Sequence, residues 1–189
     1  MKLILLGCGT MGNGLLLGAN KFLKSKKIQT FTYDPIHQKS QALAKKVKAK
    51  AMWPISTLPA GDIYLIACKP QHFAELAHEI TIPPKSLVIS IVAGIQVERI
   101  KKLLKVNQVV RVMPNTPAML GEGVSALFFT PTVQGPKKKL VLDFFKQVGL
   151  VFCFEKEDKI DLVTPFSGSG PAYFFEFTRI LIEKLTSMG

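Results

Sequence analysis

The chain is 189 residues long and 48% hydrophobic, with a formal charge of +12 from 25 basic and 13 acidic side chains. That is enough for one ordinary domain with a full core and an appendage. No apolar run reaches the roughly 20 residues of a membrane helix, and the scattered Cys8, Cys68 and Cys153 offer neither a disulfide framework nor a metal pattern, which fits a reducing, cytoplasmic setting.

In chain order, Lys2–Leu6 reads as a short buried strand, followed by glycines and an amphipathic helix from about Thr10 to Leu23. Ile28–Tyr33 is the next strand and Pro35–Val47 the next helix. Ile63–Cys68 is a strand stopped by Pro70, and "QHFAELAHEI" is helical. "SLVISIVAG" is an apolar strand ending in glycine, Val97–Leu104 is a helix, and "QVVRVMPNTP" is a strand entering a proline-closed loop. "GVSALFF", a helix from about Val133 to Val148, and "LVFCF" complete the alternation. Strands alternating with helices imply an α/β fold with a doubly wound, mainly parallel sheet. After Glu155 a charged connector with a helical turn leads to "SGSGPAYF" and a last helix reaching about Met188. That helix is apolar around much of its girth, so it is expected to need partners on several sides.

The lysines cluster at 21–27, 45–50, 101–105 and 136–139. A positive field attracts phosphorylated cofactors, anionic substrates or nucleic acid. Arginine, which supplies the bidentate fork of nucleic-acid recognition, is confined to Arg99, Arg111 and Arg179. Nucleic acid is therefore disfavoured, and lysines at helical spacing read as solvated outer faces.

The opening "LILLGCGTMG" raises three readings: a secretion signal, a lipoprotein site, or the first strand and turn of a nucleotide-binding fold. Only one lysine precedes the apolar run, and Gly7, Gly9 and Gly12 interrupt it at once, unlike an export signal. The third reading gives each glycine a task. Gly7 makes the tight turn, Gly9 lets a pyrophosphate approach the backbone, and Gly12 packs helix on strand. Amides at the helix start then face an anion. Asp34 falls about 20 residues on, where an acid can hold the adenosine ribose or simply serve the turn before Pro35. His37 and Lys39 follow, as 2′-phosphate contacts or as surface.

Two further loops belong on the same sheet edge. "ACKP" offers Ala67, Lys69 and Pro70, with Lys69 a phosphate or ribose contact or a solvated lysine; "VAG" offers Ala93 and Gly94. In "RVMPNTPAMLGEG" two prolines bracket Asn115 and Thr116, presenting an amide and a hydroxyl to a ligand, while Arg111 reads as a structural donor. Ser167, Gly168, Ser169 and Gly170 precede Pro171 at a helix start, either as a helix cap or as an anion site.

"GCGTMG", "CKP", "VAG", "RVMPNTPAMLGEG" and "SGSGPAYFF", in that order from Met1 to Gly189, resemble the pyrroline-5-carboxylate reductases. The resemblance implies a Rossmann-type domain over residues 1–163 and, over 164–189, the first helix of a helical dimerisation domain. It implies hydride transfer from NADPH or NADH to the cyclic imine 1-pyrroline-5-carboxylate, giving L-proline. By this analogy Gly7, Gly9, Thr10, Met11 and Gly12 hold the pyrophosphate, and Lys69, Pro70, Ala93 and Gly94 line the cofactor cleft. Asn115, Thr116 and Ser167–Gly170 lie near nicotinamide and substrate. No metal is implied, and the partners are the imine and a second copy of the chain.

Two departures bear on this. Family members commonly carry a small polar residue where Asp34 stands. A carboxylate there opposes the 2′-phosphate, so the family's NADPH gives ground to NADH. The family also continues into helices whose "SPGGTT"-like loop meets the substrate, so the chain reads as a fragment or a natural truncation, and a catalytically silent cofactor- or partner-binding protein is the alternative. A hydroxyacid dehydrogenase relative is a third reading, opposed by "MPNTP" followed by "SGSGPAY".

Overall fold

A computed structural model describes residues 1–189. The strands are β1 (Lys2–Leu6), β2 (Gln29–Tyr33), β3 (Lys50–Ala51), β4 (Ile63–Ile66), β5 (Leu87–Ser90), β6 (Gln108–Met113), β7 (Gly123–Phe129) and β8 (Gly149–Phe154). They form one sheet in the order β3-β2-β1-β4-β5-β6-β7-β8. Every pairing is parallel except β6 with β7. The helices are α1 (Thr10–Gly18), α2 (Asn20–Ser25), α3 (His37–Val47), α4 (Phe73–Glu79), α5 (Val97–Leu104), α6 (Gly135–Phe145), α7 (Asp158–Val163) and α8 (Gly170–Ser187).

The central strands are apolar on consecutive residues because both faces of the sheet are covered. Alternation sends Leu3 and Leu5 of β1 to one core and Ile4 and Leu6 to the other. The first core is closed by Leu15 and Leu16 of α1, Leu43 of α3 and Phe144 and Phe145 of α6. The second is closed by Phe73 and Leu76 of α4 and Ile100 and Leu104 of α5. This is the doubly wound sheet that the alternation implies.

Three local features differ from the sequence expectation. The single helix expected over Thr10–Leu23 is two, α1 and α2, parted at Ala19. Gly18, a weak helix former, ends α1 where a Cβ would come within 2.4 Å of Val148 Cγ1. The two-residue β3 is too short to leave a periodic trace. Some lysines also do more than coat surfaces: Lys48 and Lys105 end α3 and α5 in the left-handed conformation, at φ 59° and 53°.

The largest difference lies near the C-terminal end. Ser167–Gly170 is no helix start, because α7 passes through a π-helical turn, Thr164–Ser169, directly into α8. Ser169 itself is helical at φ −94° and ψ −30° and makes no side-chain cap, so the helix-cap reading fails there. A Cβ on Gly168 would lie 3.0 Å from Met113 Cε, so the bare glycine lets the widened turn rest against the end of β6. The expected boundary at 163/164 falls within this continuous helical run. Beyond the turn, α8 buries no residue, and Tyr173, Phe174, Phe175 and Phe177 are all exposed.

Candidate cofactor and substrate site

The glycine loop joins β1 to α1 at the carboxyl edge of the sheet. Gly7 has φ +103°, and a Cβ there would stand 2.7 Å from the Ala67 carbonyl. A Cβ on Gly12 would stand 2.3 Å from Gly7 O, so α1 can meet the loop only without a side chain. Gly9 is different. It has ordinary extended backbone (φ −69°, ψ −174°), it is exposed, and a Cβ there would meet nothing within 4 Å. It precedes α1 with no side-chain cap, leaving the first-turn amides available to an anion. Thr10 beside it is exposed and Met11 half-buried.

Asp34, just past β2, is buried at 7% exposure. Its Oδ2 accepts from the Cys8 amide at 2.7 Å and its Oδ1 from the Ile36 amide at 2.9 Å. The carboxylate is therefore a strut between the glycine loop and the turn after β2. Its inward aim weakens the reason for expecting NADH, which assumed a carboxylate facing the ribose. Burial, then the Asp34 charge, push the Cys8 thiol up to about 12, against the opposing pull of Lys39. Lys39 is thus near enough to the loop for its charge to be felt there.

The other carboxyl-edge loops lie where the strand order places them. After β4, Ala67 is half-buried against Gly7 and Gly12, while Lys69 and Pro70 are exposed. After β5, Ala93 and Gly94 are exposed, with Gly94 at φ +70°. The loop after β6 carries Asn115, which is buried: its Oδ1 accepts from the Val124 amide at 2.8 Å, and its Nδ2 donates to Ser167 Oγ at 3.4 Å. Asn115 thus ties its loop to β7 and to the π-turn, and the exposed Thr116 is the freer of the two candidate contacts. The following one-turn helix, Thr116–Leu120, lies on α1, where a Cβ on Gly14 would meet Met119 Cγ at 2.7 Å. The candidate substrate loop is therefore braced on the glycine-loop helix.

Arg111 has the structural role expected of it. It is 2% exposed, with Nη1 donating to Glu157 at 2.9 Å and Nη2 to Asp161 at 2.5 Å. Glu157 Oε1 also accepts from the Val97 amide at 2.8 Å, joining β6, α5 and α7.

One part of the cleft escaped the sequence reading. A cavity of about 420 Å³ opens beside Gly7, bounded by Trp53, Pro35, His72, Glu75 and Glu79. Trp53 stacks on Tyr33 with ring centres 6.0 Å apart and planes within 9°. Its only sequence signal is its being the sole tryptophan, in the irregular stretch before β4.

A mainly parallel sheet covered on both faces, with a glycine loop opening at its carboxyl edge, defines a Rossmann-type fold of the dinucleotide-binding class. Residues 2–94 match the family described as NADP oxidoreductase, coenzyme F420-dependent. The pyrroline-5-carboxylate reductase of Pasteurella multocida is 33% identical over 190 residues, covering 97% of this chain and 69% of that protein. The Haemophilus influenzae enzyme is 34% identical over 186 residues, with 97% and 68% covered. The crystal structure of Plasmodium falciparum pyrroline carboxylate reductase with NADP bound is similar at a TM-score of 0.83 and 30% identity, covering 100% of this chain and 70% of that one. The chain belongs to the pyrroline-5-carboxylate reductase family.

Proposed function

We propose that the chain binds NADPH along the carboxyl edge of its sheet and reduces 1-pyrroline-5-carboxylate to L-proline. The observation that carries this reading is the continuous edge formed by the Gly9 opening, the Lys69 and Gly94 loops, and the Thr116 loop braced on α1. The open space at Gly9 fits a pyrophosphate, and the exposed Lys69 and Lys39 offer charge to phosphates. When bound, the nicotinamide supplies the hydride. The remaining task for the protein is placement, since a protonated imine is already electrophilic and needs no dedicated nucleophile. Thr116 offers a hydroxyl to the substrate, and Asn115 with Ser167 fixes the loop that presents it. Loss of nicotinamide absorbance on adding 1-pyrroline-5-carboxylate, followed by amino-acid analysis for proline, tests the reaction.

The exposed aromatic residues of α8 support a second element of this reading, pairing of α8 with a second copy of the chain. No helix is long and apolar enough to cross a membrane. Three free cysteines, two of them at least partly covered, suit a reducing compartment, and we place the protein in the cytoplasm on that chemistry.

A further inference from the structure

The lining of the cavity beside Gly7 has two unlike parts. One is aromatic: Trp53 is 50% exposed, lies nearly parallel on Tyr33, and has the His37 ring tilted against it at 5.7 Å. The other is acidic: Glu75 and Glu79 lie one helical turn apart on α4, both exposed and both lining the cavity. Both charges are also felt at Tyr33, whose phenol is raised above its ordinary value by burial first and then by Glu79, Asp34 and Glu75. Glu75 has His72 Nδ1 at 3.9 Å, whereas Glu79 makes no ion pair within 4 Å. A flat, half-exposed ring and a pair of hydrogen-bond acceptors lining one cavity suit a flat heterocycle that carries donors on its edge. It does not suit a phosphate, which the carboxylates would repel.

We propose that Trp53 is the stacking platform for the adenine of the bound dinucleotide, and that Glu75 and Glu79 accept from its 6-amino group. The assignment rests on the NADPH reading above. It adds a base-reading function for three residues outside the glycine motif. Stacking on Trp53 sets affinity for any purine, whereas the two carboxylates prefer adenine to hypoxanthine, whose 6-oxo group turns an acceptor toward them.

Titrations of the full chain test this with 2′,5′-ADP, NADPH and the hypoxanthine analogue of NADPH, read by calorimetry. Trp53 is the only tryptophan, so its emission reports directly on its own wall of the cavity. The 2′,5′-ADP, which lacks nicotinamide, should quench it. Trp53→Ala should weaken both 2′,5′-ADP and NADPH about tenfold, and Trp53→Phe should recover most of that loss. The Glu75→Ala/Glu79→Ala pair should abolish an approximately fivefold preference for the adenine form. Circular dichroism on each variant separates lost binding from lost fold. NADPH binding that Gly9→Val abolishes but Trp53→Ala leaves intact overturns the platform while leaving the cofactor reading standing. Failure of wild type to bind NADPH and 2′,5′-ADP overturns both.

Discussion

The Cys8 amide donates to Asp34 Oδ2 at 2.7 Å, across 26 residues of sequence, and so fastens the glycine loop to the end of β2. Asp34 is 7% exposed and accepts a second amide, from Ile36. Removing the carboxylate should orphan both donors. Asp34→Ala is expected to cost about 2 kcal/mol of stability, in the range for hydrogen bonds to charged groups. It should weaken NADPH and NADH together rather than exchange one for the other. Chemical denaturation and calorimetry with both cofactors check this; a change in their affinity ratio with unaltered stability would place the carboxylate on the ribose instead.

The thiols should differ sharply in reactivity. Burial pushes Cys8 up to about 12 and Cys68 to about 11, so at pH 8 both are held as the unreactive thiol. Cys153 is exposed on β8. A disulfide reagent at pH 8 should therefore modify Cys153 rapidly in the native chain, and all three cysteines only after unfolding. A raised thiol value also has a consequence for stability. Its contribution is intact below the ordinary value of 9.0 and is lost as pH rises towards 12. Stability should fall across that alkaline window, less steeply in Cys8→Ala.

Glu157 serves Arg111 and the start of α5 with one oxygen. Glu157→Ala should leave the Val97 amide without its acceptor and the buried guanidinium with Asp161 alone, costing about 3 kcal/mol. Asp161→Ala should cost less, because its side chain is 48% exposed. Thermal melts of the two variants check the order, and equal losses would contradict it.

The apolar surface of α8 predicts self-association that survives high salt, since hydrophobic contacts are not screened as lysine-driven contacts are. Tyr173, Phe174, Phe175 and Phe177 are each more than 60% exposed. Light scattering at low and high salt should give the same oligomer, and Phe174→Glu with Phe177→Glu should dissociate it. A monomer in both salts would contradict the pairing.

Much of the fold was legible because its cause is local. Lys2–Leu6 and Val97–Leu104 end where the sequence places their ends, one at a glycine turn and the other where Lys105 enters the left-handed region. The turn at Gly7 and the close packing at Gly12 were legible for the same reason, since both follow from their place between strand and helix. What stayed hidden depends on distant partners. Asp34 has the right interval for a ribose ligand, yet its aim is set by Cys8, on another strand's loop. "SGSGP" has the composition of a helix start, but the contact of Gly168 with Met113 accompanies a π-turn within a longer helix. Trp53 lies outside any periodic segment, and only tertiary packing on Tyr33 brings it to the cleft.

The open space above Gly9 is where the pyrophosphate of a bound cofactor must pass, and filling it separates binding from folding. A Cβ on Gly9 meets nothing within 4 Å, and the backbone there is ordinary, so Gly9→Val should keep the fold, with at most the small loss in melting temperature of a poorer helix N-cap. Calorimetric titration with NADPH should give binding to wild type and at least a tenfold weaker signal for Gly9→Val, because the valine fills the approach to the pyrophosphate. Equal affinity in the two proteins, or no binding by wild type, would contradict cofactor binding at the Gly9 opening.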